Sequence, residues 1–280
     1  MAEVTPARAA LPRMLYGTAW KEERTERLTR RALELGFSGI DTANQRKHYF
    51  EAGVGAAIRS ALEAGVTTRE RLFLQTKFTF SDGQDHRLPY DRRATTGEQV
   101  AQSFASSLEH LGTDYLDSYV LHGPSRSRGL GPADWDAWRA MESLARSGRV
   151  RHLGVSNVSV EQLGLLLDGA EHAPGFVQNR CYARHGWDRE VRLLARKSGV
   201  VYQGFSLLTA NTRELTRTPI AAAAARLGCA PAQVVFAFAL AVGMLPLTGT
   251  TSAEHLREDL EAVRFELTPA EIAAIEGAAG

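Results

Sequence analysis

Four ionisable side chains in the first half of this 280-residue chain, Asp41, Tyr49, Lys77 and His122, are spaced so that folding could bring them together. Asp41 closes the run from Gly36 to Asp41, Lys77 follows Leu72 to Thr76, and His122 follows Tyr115 to Leu121. Tyr49 lies eight residues past Asp41. Apolar runs of that length read as buried strands, and polar residues at their ends gather on one face of a sheet or barrel. A carboxylate, a phenol, an amine and an imidazole collected there are parts for proton transfer. An enzyme is the leading expectation.

Lysine is normally solvated, but Phe73, Leu74, Phe78 and Phe80 surround Lys77 in sequence and imply burial. A buried ammonium loses its charge readily unless paired, and Asp41 could supply the partner. Taken alone, the two could equally be a structural ion pair. A free phenol, with a pKa of about 10, is a weak acid at neutral pH. A neighbouring ammonium is expected to lower that value for Tyr49. His122 could hold a carbonyl oxygen, or be a satisfied strand-end histidine. A Schiff-base lyase with Lys77 as nucleophile is a rival use of the same lysine.

The elements that must position these groups alternate along the whole chain. Strands are expected at Met14–Tyr16, Gly39–Asp41, Leu72–Lys77, Tyr115–His122, Val150–Val155, Phe176–Gln178, Val200–Gly204 and Leu245–Leu247. Amphipathic helices are expected between them: Glu22–Leu35, Val54–Glu63, Glu98–Leu111, Trp135–Ser147, Val160–Leu167, Asp188–Ser198, the pair Ile220–Leu227 and Ala232–Val242, and Ala253–Glu261. Thr268 to Glu271 has capping-box spacing with proline at the first helical position, so a last helix begins there. Eight alternations fit an α/β chain folded as a (β/α)8 TIM barrel better than a doubly wound sheet. No Ser/Gly-rich linker divides it, so residues 1–280 read as one domain. The polar stretches Ser81 to Gly97 and Pro124 to Pro132 are then loops at the C-terminal mouth.

Composition narrows the partners. A formal net charge of +1 gives no reason to expect nucleic acid or an anionic membrane. Lysines number only four (Lys21, Lys47, Lys77, Lys197), which makes one inside an apolar stretch conspicuous. Cys181 and Cys229 lack metal-ligand spacing and are too few for a disulfide framework, so a cytoplasmic setting and no metal are expected. The start lacks the pattern of a signal peptide, and no apolar stretch is long enough to span a bilayer. Gly53-Val-Gly55 and Gly129-Leu-Gly131 lack the third glycine and the preceding strand of a dinucleotide fingerprint.

An ordered set of motifs resembles the aldo/keto reductase family over nearly the whole chain. It runs through Gly17-Thr18, Gly36 to Ala43, Tyr49 before Val54-Gly55, Thr76-Lys77 and Asp114 to Pro124. It continues with Gly148 to Asn157, Gln178, Phe205-Ser206 and Gly249-Thr250. The resemblance implies a cytoplasmic NAD(P)H-dependent oxidoreductase that reduces an aldehyde or ketone to an alcohol by direct hydride transfer. Asp41, Tyr49, Lys77 and His122 would be its catalytic tetrad, with Tyr49 as general acid. It also implies a nicotinamide cofactor lying extended across the mouth, without the glycine fingerprint. Ser156, Asn157 and Gln178 would hold the carboxamide, Phe205 would stack on the ring, and Ser206 and Leu208 would meet the pyrophosphate. Glu258 and Asp259 would contact the adenine. The implied partners are a small-molecule carbonyl substrate, no nucleic acid and no membrane, for a monomer or small homo-oligomer. A nicotinamide-binding regulatory subunit with little turnover is the rival within the resemblance.

The departures from the family pattern also carry expectations. The stretch from Asp41 to Tyr49 is longer than usual, so Asn44 to His48 should bulge as a loop, with Lys47 and His48 near the mouth. The residues matching the family's 2′-phosphate-binding lysine and arginine are Gly249 and His255, with Thr250 and Arg257 only partial substitutes. NADP(H) is the first choice of cofactor and NAD(H) the alternative. The sequence stops soon after its last capping box, which implies an open substrate pocket built from Trp20, Phe50, Phe78 and Trp187.

Overall fold

In a computed structural model, which describes residues 11–278, eight parallel strands close into a barrel in chain order. They are β1 (Leu15–Gly17), β2 (Gly39–Asp41), β3 (Phe73–Phe78), β4 (Leu116–Leu121), β5 (Val150–Ser156), β6 (Phe176–Arg180), β7 (Val201–Phe205) and β8 (Leu245–Thr248). β1 pairs with β8 through Leu15 with Leu247 and Tyr16 with Thr248, which closes the ring. The expected (β/α)8 architecture is present. Of the expected single domain, residues 1–10 and 279–280 lie outside the described residues.

The outer layer is α1 (Thr25–Glu34), α2 (Glu51–Glu63), α3 (Thr96–Leu111), α4 (Pro132–Arg146), α5 (Val160–Gly169), α6 (Arg189–Lys197), α7 (Thr218–Leu227), α8 (Pro231–Ala241), α9 (Ala253–Glu261) and α10 (Pro269–Gly277). The Thr268–Glu271 capping box is made in both directions. α2 begins at Glu51 rather than Val54. Its first-turn carboxylate is buried and accepts hydrogen bonds from the Thr76 and Ser107 hydroxyls, which fixes that end of the helix against β3 and α3. α8 is buried almost all round, which explains its apolar run from Val234 to Ala241. No single helix among the described residues is long and apolar enough to cross a membrane.

Strand side chains alternate between the barrel interior and the helix layer. On β3 this puts Phe73, Gln75 and Lys77 inside and sends Leu74, Thr76 and Phe78 outward. The interior is stratified. Its floor is an apolar cluster of Leu15, Phe73, Phe176, Leu245 and Leu247, separate from the core under the helices. Above it Gln75 and Gln203 are fully buried, where branched aliphatic side chains usually fill such barrels. Asp41 and Lys77 lie above these glutamines.

The helix layer is closely packed where α2 meets α3. A Cβ on Gly55 would stand 2.0 Å from the His110 carbonyl oxygen, an approach only glycine allows. Gly55→Ala must push the helices apart, and overpacking of this kind costs about 1–3 kcal/mol. Urea unfolding should show a lower midpoint with an unchanged m-value; an unshifted midpoint would contradict the close contact.

Candidate active site

Lys77 is completely buried. Its Nζ donates to both Asp41 oxygens at 2.7 and 2.8 Å, and to the Thr42 carbonyl at 2.8 Å. Those three bonds use all the hydrogens of an ammonium. Burial pulls its pKa down while Asp41 pulls it back up. The amine has no exposed surface and no free hydrogen, so it is closed to a substrate carbonyl and ill-placed as a Schiff-base nucleophile.

Tyr49 reaches the mouth from a compact turn rather than a loose bulge. The Gln45 carbonyl accepts from the backbone N–H of both His48 and Tyr49, while the Gln45 amide donates to Gly83. The His48 carbonyl accepts from the Trp20 N–H, and the Trp20 and His48 rings stack 3.8 Å apart. Lys47 is exposed and His48 half-buried. The Lys77 ammonium lies 5.5 Å from the centre of the Tyr49 ring. The phenol is nonetheless pushed well above its ordinary value, first by burial and then by Asp41, contrary to the lowering expected from a neighbouring lysine. Burial outweighs the neighbouring ammonium, and Asp41 adds to the rise.

His122, one residue past β4, has its ring centroid 6.0 Å from that of Tyr49 in an edge arrangement. Its Nδ1 lies 2.7 Å from the Thr79 hydroxyl, which leaves Nε2 as the available nitrogen. Burial, then the charges of Lys77 and His48, push the imidazole down to about 3, so it is neutral at physiological pH. Thr79 went unnoticed in the sequence, although it stands two residues past Lys77 on the same strand face.

A cleft of about 820 Å³ opens from these groups along the mouth and is lined by Asp41, Tyr49, His122, Ser156, Gln178 and Phe205. The Ser156 hydroxyl donates to the Gln178 backbone carbonyl at 2.6 Å, and the Asn157 amide donates to Ser156 and to the His122 carbonyl. The Gln178 amide spends both N–H groups inward, on Asp41 at 3.0 Å and Gln203 at 2.9 Å. Asn157 Oδ1 and Gln178 Oε1 are left as carbonyl acceptors with no partner among the described residues. Ser206 and Leu208 line the next stretch, with Ser206 at φ 56. Buried Asn211 ties this turn down: its amide donates to the Leu207 and Cys181 carbonyls and its Oδ1 accepts from the Ala183 N–H.

At the far end stand Gly249, Thr250, His255, Glu258 and Asp259. The Thr248 hydroxyl donates to Asp259 at 2.6 Å, and burial pushes that carboxyl up to about 6. Lys21, missed in the sequence although it is one of four lysines, also lines the cleft. It is buried, donates to the Gly249 carbonyl at 2.6 Å, and is drawn down to about 8 by burial. Arg257 is exposed on α9 and bonds the Ala253 carbonyl.

The expected pocket aromatics divide. Trp20 lines the cleft and is 65% exposed, and Phe50 is exposed on the outer side of the Tyr49 turn. Phe78 and Trp187 are corrections. Phe78 alternates with Lys77, so it faces the helices and packs on Phe80 and Tyr90. Trp187 is buried against Phe238 and donates its indole N–H to the Ile275 carbonyl. Among the described residues there is no cluster of His, Cys, Asp or Glu fit to hold a metal.

The depressed His122 pKa has a consequence for stability. A group whose folded pKa lies near 3 and whose ordinary value is 6.5 contributes stability that is complete above 6.5 and is lost as pH falls toward 3. Within that window its contribution declines by up to about 1.4 kcal/mol per pH unit. Urea midpoints of His122→Gln should therefore fall less steeply on acidification than those of the unmodified protein; parallel slopes would refute this.

The family model for the aldo/keto reductase family matches residues 13–279. An uncharacterised oxidoreductase of Bacillus subtilis is 30% identical over 238 residues, 85% of this chain and 77% of the relative. The glyoxal reductase of the same organism is 30% identical over 237 residues, with the same two shares. Among solved structures, a Bombyx mori aldo-keto reductase in complex with NADP superposes with a TM-score of 0.79 at 22% identity, covering 95% of this chain and 88% of that one. With the barrel, the polar cluster at its mouth and these matches together, the chain belongs to the aldo/keto reductase family.

Proposed function

We propose that this chain, as a single barrel domain, reduces an aldehyde or ketone to the alcohol with a nicotinamide dinucleotide, and that Tyr49 is the general acid. One observation carries the reading: a proton-holding phenol and a neutral imidazole share the mouth of a cleft above a buried Lys77–Asp41 pair. The cleft suits the cofactor. Asn157 and Gln178 offer two carbonyl acceptors for a carboxamide NH₂, Phe205 offers a ring face, and Lys21 a cation for the pyrophosphate beside Ser206 and Leu208. Glu258 and Asp259 remain for the adenine. When bound, the reduced nicotinamide supplies a hydride to the carbonyl carbon.

The protein's own part is proton delivery and orientation. His122 donates from Nε2 to the carbonyl oxygen and orients it; this requires the Thr79 hydroxyl to donate to Nδ1. Tyr49 then gives its proton to the oxygen as negative charge grows there. A phenol with a raised pKa keeps that proton until an alkoxide-like oxygen calls for it. The phenolate that results has the Lys77 ammonium 5.5 Å from its ring centre. The glyoxal reductase relative supports a small carbonyl compound as substrate. Tyr49→Phe should lower turnover of glyoxal by about 10²-fold or more while NADPH still quenches tryptophan fluorescence; undiminished turnover would sink the assignment.

NADP(H) is the cofactor we infer, with NAD(H) binding comparably. The Bombyx mori structure supports the former. Gly249 and an exposed His255 bring no fixed charge of their own to a 2′-phosphate and two carboxyls stand nearby, while the one ammonium beside Gly249, Lys21, is engaged by the Gly249 carbonyl and in this reading serves the pyrophosphate. Dissociation constants for NADPH and NADH should lie within about tenfold of each other, a difference of about 1.4 kcal/mol. A hundredfold preference for NADPH would overturn the weak-phosphate-site reading.

A further inference from the structure

The glutamines in the barrel interior form a closed hydrogen-bond circuit. Gln75 on β3 donates to Asp41 Oδ1 at 2.7 Å and to Gln203 Oε1 at 2.8 Å. Gln178 on β6 donates to the same two oxygens at 3.0 and 2.9 Å. Gln203 on β7 returns its own amide N–H to Gln75 Oε1 at 3.0 Å. Gln75 and Gln203 are fully buried and Gln178 almost so.

The polarity of this circuit follows from one member. A carboxylate only accepts, so both amides beside Asp41 must turn their nitrogens toward it. The second N–H of each then points at Gln203, which must answer with its carbonyl. That leaves the Gln203 nitrogen facing Gln75 Oε1. A single amide carbonyl, Gln178 Oε1, stays outside the circuit, and Gln178 is the one glutamine of the three that lines the cleft. Rotating the Gln178 amide by half a turn would set its oxygen against two other acceptors, Asp41 and Gln203, inside a buried site where such contacts are costly.

We propose that Gln203, held in turn by Gln75, is a positioning residue that acts with Asp41 to lock the Gln178 amide with its carbonyl outward, and so selects a cofactor carboxamide through its NH₂ group. The proposal rests on the nicotinamide reading given above. Neither glutamine need touch the cofactor; Gln203 acts through Gln178, and Gln75 acts through Gln203. The circuit also links the cofactor site to Asp41, the carboxylate that holds Lys77.

The test compares NADP⁺ with its 3-acetylpyridine analogue, in which a methyl replaces the carboxamide NH₂, and with 2′-phospho-ADP-ribose, which has no ring. Binding is read by tryptophan quenching or calorimetry. The unmodified protein should favour NADP⁺ over the acetyl analogue by about tenfold, the worth of one well-made hydrogen bond. In Gln203→Met the Gln178 amide loses one of its two inward acceptors and is held by Asp41 alone, so its outward carbonyl is less firmly set and the preference should fall severalfold while 2′-phospho-ADP-ribose binds as before. Should that variant not fold, Gln75→Met/Gln203→Met removes both partners of the buried pair, and the same severalfold fall in preference is expected. A preference unchanged in the variant, or equal losses for all three ligands, overturns the proposal. If the unmodified protein binds none of the three, the cofactor reading fails and the proposal falls with it.

Discussion

Lys77 and Asp41 are charged groups in a place where neither would remain charged alone. Burying one without the other would cost several kcal/mol, and removing either partner from such a pair typically costs about 3–5 kcal/mol. The pair survives because each polar atom is occupied: three acceptors surround the ammonium, and Asp41 Oδ1 receives Lys77, Gln75 and Gln178. Much else at the mouth is a response to it. Burial raises the Tyr49 phenol and lowers His122, the negative partner adds to the first shift and the positive one to the second, and the carboxylate dictates which way the amides beneath it turn. A barrel filled to the top with valine and isoleucine could hold its shape but could not hold this pair.

The second constraint is the delivery of Tyr49. The stretch between Asp41 and the phenol does not loosen the site, because it is folded into a hydrogen-bonded turn. Gln45 is its hub, accepting twice through its backbone and donating once through its side chain. Arg87 adds a bond to the Arg46 carbonyl from the loop after β3, so two mouth loops brace each other. Length alone was a poor guide to geometry here, since what decides reach is where the backbone donors and acceptors close.

The fold was legible because its signals are local and repeated. Eight short apolar runs, with helical periodicity between them, locate every strand to within two residues, since a buried parallel strand has little choice of composition. Lys77 and Asp41 stood out for the same reason, as charges inside such runs. Phe78 was misjudged because proximity in sequence to Lys77 is the opposite of proximity in a strand, where neighbours face apart. The same period of two, applied backward and forward from Lys77, would have found Gln75 and Thr79. Trp187 was not accessible to such reasoning. Its backbone enters the left-handed region at φ 57, which turns the indole into the core under α8 and α10. Gln203 needed the closed barrel, because only closure brings β7 across from β3.

Asn211 has a consequence for how the cleft can change shape. Two of its three bonds join the turn after β7 to the segment after β6 and the third closes that turn on Leu207, all from a side chain only 1% exposed. Two loops that would otherwise be independent hinges are thereby spliced into one panel. Leu207 and Cys181 are fixed to the same amide, so neither loop can swing without the other unless that amide is broken out of a buried site. Any breathing of the cleft on this side is therefore a single collective motion, and its easy direction must lie in the facing wall, where Trp20 stacks on His48 in the open.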